Sequence, residues 1–132
     1  MTDTPKGSIL ILDDDKFLVE MYGMKFTSNG YQVQTCLSTN EALEALKGGF
    51  NPDCIIFDLV MPERDGFSFL QALSESKLAE GAALIALTNQ SIDSEKAKAE
   101  NLGVDRYIVK ASMIPSEVVS AVEEEIKKKR KS

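Results

Sequence analysis

Four short apolar runs of this sequence are followed by side chains that could bind or accept a phosphoryl group. Three aspartates, at 13–15, follow the first run, and Asp58, Thr88 and Lys110 follow the others. Neighbouring carboxylates repel by about 4 kcal/mol per pair at an effective dielectric of ~20, so a cation must offset them. Hard oxygen ligands favour Mg²⁺, which also takes phosphate oxygens. Because metal, ammonium and hydroxyl stabilise a transferring phosphoryl group, the set predicts phosphate transfer to one of its own carboxylates, without saying which.

The elements that must position these side chains alternate between two kinds of apolar pattern. Predicted strands cover residues 8–12, 31–36, 54–57, 82–87 and 106–109. Predicted helices cover residues 17–29, a segment opened by the capping box at 38–41, and then 67–76, 91–102 and 115–129. In the first helix, the spacing of Met21, Met24 and Phe26 predicts core positions.

This alternation predicts an α/β fold around a parallel sheet, because each return to a parallel strand needs a crossover helix. The strand at 31–36 is the more polar one, with Gln32, Gln34 and Thr35, which indicates a sheet edge. Ligands of open parallel sheets bind outside the carboxyl ends of the strands. We therefore expect the polar residues after the strands to meet at one sheet edge.

Charge and cysteine content narrow the function classes. The net charge is −6, although all five residues at 127–131 are Lys or Arg. An acidic body disfavours a DNA-binding face, so no direct DNA binding is expected. The basic end is interpreted as a solvated helix terminus, and contact with an acidic partner, a membrane lipid or nucleic acid is the alternative. The two cysteines, Cys36 and Cys54, are expected to be free buried thiols. No apolar run approaches the ~18–20 residues of a membrane span. A cytoplasmic location is the expectation.

Four segments, in order and at matching spacing, resemble the receiver domain of two-component response regulators. They are residues 9–15 (ILILDDD), 55–66 (IIFDLVMPERDG), 84–88 (LIALT) and 103–110 (GVDRYIVK). The resemblance implies a doubly wound, flavodoxin-like (βα)5 sandwich of three layers with strand order 2-1-3-4-5. Residues 8–126 would form this domain, between a disordered segment at 1–7 and a basic tail at 127–132.

The resemblance also implies roles for individual residues. Asp58 would accept the phosphoryl group, and Asp13, Asp14, Asp58 and the backbone carbonyl of Val60 would hold Mg²⁺ or Mn²⁺. Thr88 and Lys110 would bind the phosphoryl group, with Tyr107 as the aromatic residue that changes position on switching. The residues that tune phosphate lifetime in relatives would be Val60, Asn89 and Gln90. Asp15 lies outside the matched positions, and helix capping explains it better.

Two departures from the family pattern affect the surroundings of this set. Ala111 follows Lys110 where many receivers have proline, so Pro115 is expected to start the last helix. Asn89 stands where a small residue is common, which would narrow access for small phosphodonors. Val60 and the uncharged Gln90 offer no obvious activator of water, which favours a long-lived phosphoryl state.

Three function classes follow. The first is a single-domain regulator in a phosphorelay, phosphorylated by a histidine kinase or phosphotransfer protein and not a dedicated enzyme. Its output would be a protein contact at the fourth helix, fifth strand and fifth helix. The second is a receiver-like interaction module that is never phosphorylated. The third is a small aspartate-nucleophile phosphatase, since Asp13-x-Asp15 resembles a haloacid-dehalogenase-like start, although Phe17 departs from that motif.

Overall fold

A computed structural model describes residues 6–61, 65–89 and 92–131. Strands and helices alternate along the chain. The strands are β1 (Ser8–Leu12), β2 (Gln32–Cys36), β3 (Cys54–Asp58), β4 (Ala83–Thr88) and β5 (Arg106–Val109). The helices are α1 (Lys16–Ser28), α2 (Thr39–Lys47), α3 (Gly66–Glu75), α4 (Asp93–Asn101) and α5 (Pro115–Lys131), and a single 3₁₀ turn, Lys110–Ser112, precedes α5.

All five strands form one parallel sheet in the order β2-β1-β3-β4-β5. The predicted fold and strand order are confirmed, and polar β2 lies at an edge. The register pairs Leu12 with Phe57, Asp58 with Leu87 and Thr88 with Val109. The carboxyl ends of β1, β3, β4 and β5 therefore lie side by side.

Helices cover both faces of the sheet and give it two separate cores. On one face, α1 and α5 bury residues such as Phe26 and Val122 against Ile11 and Ile56. On the other face, α2, α3 and α4 contribute core residues that include Leu43, Phe69 and Ala99. The near-continuous apolar character of β1, β3 and β4 follows from this double coverage.

Side-chain caps set the starts of three helices. Asp15, Ser38 and Asp65 each accept a hydrogen bond from the backbone N–H three residues further on. The predicted capping role of Asp15 is confirmed. In the capping box of α2, the Glu41 carboxylate accepts from the N–H of Leu37, one residue before the cap. These caps fix where the loops after β1 and β3 end.

The prediction that Met21 and Met24 belong to the core is wrong. Both are exposed, whereas Val19, Tyr22 and Phe26 supply the buried face of α1. The alternative helical face is buried because its residues reach β2 and α5. The cysteine prediction is confirmed, since Cys36 and Cys54 are free and buried.

The domain boundaries proposed at residues 8 and 126 stay predictions. Residues 1–5 lie outside the described residues, while Lys6 donates its backbone N–H to the carbonyl of Gly30. The basic residues at 127–131 belong to the last turns of α5, where Lys129 pairs with Asp105 at 3.2 Å and Arg130 with Asp53 at 3.7 Å. Among the described helices, none has the length and apolar character needed to cross a bilayer.

Candidate phosphoryl-accepting site

Three carboxylates meet at the carboxyl edge of the sheet. Asp13 and Asp14 follow β1, and Asp58 ends the neighbouring strand β3. One oxygen from each lies within 4.8 Å of the others. Asp13 and Asp58 are buried, at 1% and 4% exposure, while Asp14 is exposed. The three carboxylates thus lie together, as the sequence predicts. Their oxygen atoms are the kind of ligand that a hard divalent cation prefers.

Lys110 brings an ammonium group to the same place from the far edge of the sheet. Its Nζ lies 2.7 Å from Asp13 Oδ2 and 3.2 Å from Asp58 Oδ2. Burial alone would lower the pKa of Lys110, but the hydrogen bonds and charges of Asp13 and Asp58 outweigh it and raise that pKa. The ammonium is therefore charged at neutral pH and bridges the two buried carboxylates.

Backbone N–H groups hold the other oxygens of the same two carboxylates. The N–H of Asp15 donates to Asp13 Oδ1 at 2.9 Å, and that of Val60 donates to Asp58 Oδ1 at 3.0 Å. Each side chain therefore presents one oxygen to the backbone and the other to Lys110. This arrangement fixes the orientation of both carboxylates before any ligand binds.

The cluster carries more negative than positive charge. Burial raises the pKa of Asp13, the hydrogen bonds from Lys110 and from the Asp15 N–H oppose that shift, and the charge of Asp58 adds to it. One ammonium does not balance three carboxylates. A further cation at the site would relieve the excess.

Thr88 and Tyr107 lie on the strands beyond Asp58. Thr88 ends β4 and is buried, one position past the Asp58–Leu87 pair. Tyr107 lies in β5 opposite Ala86 and is half-buried against the core that contains Phe57. Their positions on β4 and β5 are compatible with the predicted roles.

Two of the three residues predicted to tune phosphate lifetime lie in the described part of the chain, and both are exposed at the edge of the site. Val60 is 62% exposed, and Asn89 is exposed directly after β4. Gln90 lies outside the described residues. Leu59 and Met61 on either side of Val60 are buried, so the loop after Asp58 is anchored by alternate side chains.

Two neighbours of the site have structural roles that the sequence reasoning did not identify. A Cβ added to Gly66 would lie 2.6 Å from the carbonyl oxygen of Asp58 and 2.8 Å from Leu59 Cα, so only glycine fits. Tyr22 is buried, and burial raises its pKa; the charge of Lys110 lowers that pKa by less, and the charge of Asp13 adds slightly to the rise. The close approach at Gly66 depends on how α3 meets β3, which residue spacing alone does not encode.

Comparison with known proteins gives the class of this fold and site. The sequence model of the response regulator receiver domain family matches residues 9–123 of this chain. The response regulator SaeR of Staphylococcus epidermidis is 33% identical over 111 residues, which cover 84% of this chain and 46% of that protein. The chain thus spans about half the length of the curated relatives it matches.

Solved receiver structures superpose along nearly the whole chain. A CheY-like receiver domain protein from Methanospirillum hungatei has a TM-score of 0.86 at 23% identity, covering 97% of this chain and 98% of its own. A response regulator from Chloroflexus aurantiacus has a TM-score of 0.81 at 28% identity, covering 93% and 98%. The chain belongs to the response regulator receiver domain family of two-component systems.

Proposed function

We propose that this receiver accepts a phosphoryl group on Asp58 from a phosphohistidine of a kinase or phosphotransfer protein. The observation that carries the proposal is the Lys110 ammonium bridging Asp13 and Asp58 at the carboxyl edge of the sheet. Asp58 is the best acceptor of the three because β3 lies between β1, which brings the acidic pair, and β4, which brings Thr88. Asp13 is held more closely by Lys110.

The transfer conserves atoms and charge in a simple displacement. A carboxylate oxygen of Asp58 attacks phosphorus, and the new O–P bond forms as the donor's N–P bond breaks. The imidazole leaves with the N–P electron pair and takes a proton from solvent. Lys110 then pairs with the phosphoryl oxygens, and the Thr88 hydroxyl donates to them.

The residues suited to hold Mg²⁺ or Mn²⁺ are Asp13, Asp14 and Asp58, with the carbonyl of Val60. Their grouped oxygens and their excess of negative charge support this assignment. The bound metal would neutralise charge on the phosphoryl oxygens during transfer. The protein's own part is orientation, since the N–H groups of Asp15 and Val60 already fix the two buried carboxylates.

Phosphorylation would act as a conformational switch. It adds roughly one negative charge at Asp58 together with new acceptor oxygens. Moving a population from 1:99 to 99:1 takes about 5.5 kcal/mol of differential stabilisation. New contacts to Lys110, Thr88 and the metal would supply it, and Tyr107 would change position with Thr88. The surface formed by α4, β5 and α5 would then contact a protein target.

The domain's surroundings and the residues beside Asp58 would set its signalling role and the lifetime of its phosphoryl group. The domain works in the cytoplasm as a signalling protein and promotes only its own phosphorylation and dephosphorylation. Val60 and Gln90 supply no group to activate water, so the phosphoryl state is long-lived. Asn89 limits access to Asp58, so a protein phosphodonor reacts faster than a small-molecule phosphodonor.

The test is covalent phosphorylation followed by intact-mass and peptide mass spectrometry. With phosphoramidate or acetyl phosphate and Mg²⁺, the wild type should gain one phosphoryl group on the peptide that contains Asp58, and Asp58→Asn should gain none. Asp15→Asn is the matched control, because Asp15 only caps α1 and should leave labelling intact. Equal labelling of wild type and Asp58→Asn, or turnover of phosphoesters that needs Asp13, would contradict the proposal.

A further inference from the structure

The outward face of α1 carries large apolar side chains that the domain itself does not cover. Phe17 is 77% exposed, Met24 74% and Met21 37%. They lie on the side of the helix opposite Val19 and Phe26, which face the core. Exposed apolar residues scattered singly need no explanation, but these form one row and line a common surface groove.

The spacing in this row is that of one helix face, and it matches two heptads of a two-stranded coiled coil. Phe17, Met21, Met24 and Ser28 follow one another at intervals of four, three and four residues, which places them at alternating d and a positions. Glu20 then falls at a g position. Lys25 falls at the following e position and, like Glu20, lines the same groove.

The charges beside the row are complementary in one helix orientation. In a parallel pair, the g residue of one helix faces the following e residue of the other, so Glu20 would meet Lys25 of the second copy, twice by symmetry. In an antiparallel pair, g faces g and e faces e, and no such pair forms. Neither Glu20 nor Lys25 makes an ion pair with any described residue of its own chain.

We propose that this face is a homodimer interface, in which α1 of a second copy packs in parallel against α1. The dimer has a two-fold axis along the helices, with Phe17, Met21, Met24 and Ser28 as its seam. Because Asp15 caps α1 directly after the acidic cluster, both clusters lie at the same end of the helix pair.

The dimer should be weak and concentration-dependent. A seam of two heptads is smaller than the interfaces of stable complexes, so we expect a dissociation constant on the order of 100 μM. Sedimentation equilibrium of the unphosphorylated wild type, from roughly 10 μM to 1 mM, should therefore show a monomer–dimer transition.

Charge reversal tests the pairing. Glu20→Lys and Lys25→Glu should each weaken the dimer roughly five-fold or more, since each places like charges together at two symmetric positions. The double variant should restore the wild-type constant. Glu44→Lys, the same change on the exposed side of α2, is the control and should have no such effect.

An introduced disulfide tests the orientation. Ser28→Cys places two thiols face to face across a parallel seam, within the Cα separation that a disulfide allows, but far apart in an antiparallel pair. Thr27→Cys lies off the seam and is the matched control. The native thiols are buried, so they should not compete.

The proposal fails if the wild type stays monomeric over the whole range, or if its dimer is insensitive to the α1 variants. It also fails if Thr27→Cys cross-links as well as Ser28→Cys. A monomer in which Met24→Lys slows only phosphotransfer from a protein donor would assign the face to that donor instead. The sedimentation and cross-linking readouts need no phosphorylation, so failure of the dimer is distinguishable from failure of the function proposed for Asp58.

Discussion

The Lys110 ammonium lies closer to Asp13 than to Asp58, at 2.7 Å against 3.2 Å. Asp13 is also the more buried of the two carboxylates. The cation is thus held mainly by Asp13, which is not the proposed phosphoacceptor. Its weaker contact, to Asp58, is the one that would change on the phosphorylation proposed for that carboxylate.

Replacing Lys110 should destabilise the fold. Lys110→Met leaves Asp13 and Asp58 buried without their cation, a change that costs about 3 kcal/mol for a buried pair. The free energy of unfolding in urea measures it, and added MgCl₂ should recover part of the loss. Lys16→Met, an exposed neighbour at the start of α1, serves as the control. An unchanged urea midpoint for Lys110→Met would contradict the pairing.

Replacing Asp13 should have the opposite effect on stability. Its pKa is raised above 3.8 in the folded chain, so its ionised form weakens folding once the pH exceeds the folded pKa. Asp13→Asn should therefore raise the melting temperature at pH 7 by about 2–5 °C without Mg²⁺.

The same variant provides a pH test and a metal test. The difference from wild type should shrink as the pH falls towards 3.8, where Asp13 becomes protonated in both states. Mg²⁺ should raise the melting temperature of the wild type and not of Asp13→Asn. A lower melting temperature for the variant at pH 7 would show that the Lys110 pair outweighs the repulsion.

Gly66→Ala should damage the fold at the site itself. The new methyl group would lie within 2.8 Å of the backbone of both Asp58 and Leu59, so α3 or β3 must shift, at a cost of about 2–3 kcal/mol. Gly48→Ala is the control, because Gly48 ends α2 in a right-handed helical conformation that alanine adopts readily. Chemical denaturation measures both, and equal midpoints would refute the close approach.

The ion pairs at the amino edge of the sheet should differ in their importance. Arg106 pairs with buried Glu125 at 3.2 Å and with exposed Glu124 at 2.9 Å. Arg106→Ala should cost about 2 kcal/mol, because it leaves the buried Glu125 carboxylate with Lys128 as its one remaining ion-pair partner among the described residues. Glu124→Ala should leave the urea midpoint unchanged. In a Glu125→Gln background, the effect of Arg106→Ala should largely disappear.

Cys36 should give the protein an alkaline sensitivity. Burial, with a smaller contribution from Glu41, raises the pKa of its thiol from 9.0 to about 11. The raised pKa contributes stability that is complete below pH 9 and is lost as the pH rises towards 11. The stability difference between wild type and Cys36→Ala should shift against the wild type over that range in urea titrations. A constant difference would mean that the thiol ionises equally in both states.

Much of the fold could be predicted because its signals are local. Runs of apolar residues and caps such as Ser38 and Asp15 fixed the order of strands and helices, with errors of one or two residues at their ends. The polar residues after the strands predicted the site because parallel strands end at a common edge. Asp13 and Lys110 are 97 residues apart, yet each could be assigned from its own strand.

What the sequence did not predict depends on which helix face meets the sheet. Both faces of α1 carry apolar residues, and only packing against β2 and α5 decides that Phe26 is buried and Met24 exposed. The preference of Lys110 for Asp13 over Asp58 likewise depends on side-chain reach across the sheet edge, which residue types do not encode.

The long separation between the carboxylates and their cation has a consequence during synthesis. Asp13, Asp14 and Asp58 leave the ribosome well before Lys110, which is 52 residues beyond Asp58. A nascent chain that ends at β4 therefore has three repelling carboxylates without the Lys110 ammonium that bridges two of them in the folded domain. The edge strand that brings Lys110 completes the sheet and supplies the site's ammonium in one event, so a partly translated chain lacks the arrangement on which phosphate acceptance is proposed to depend.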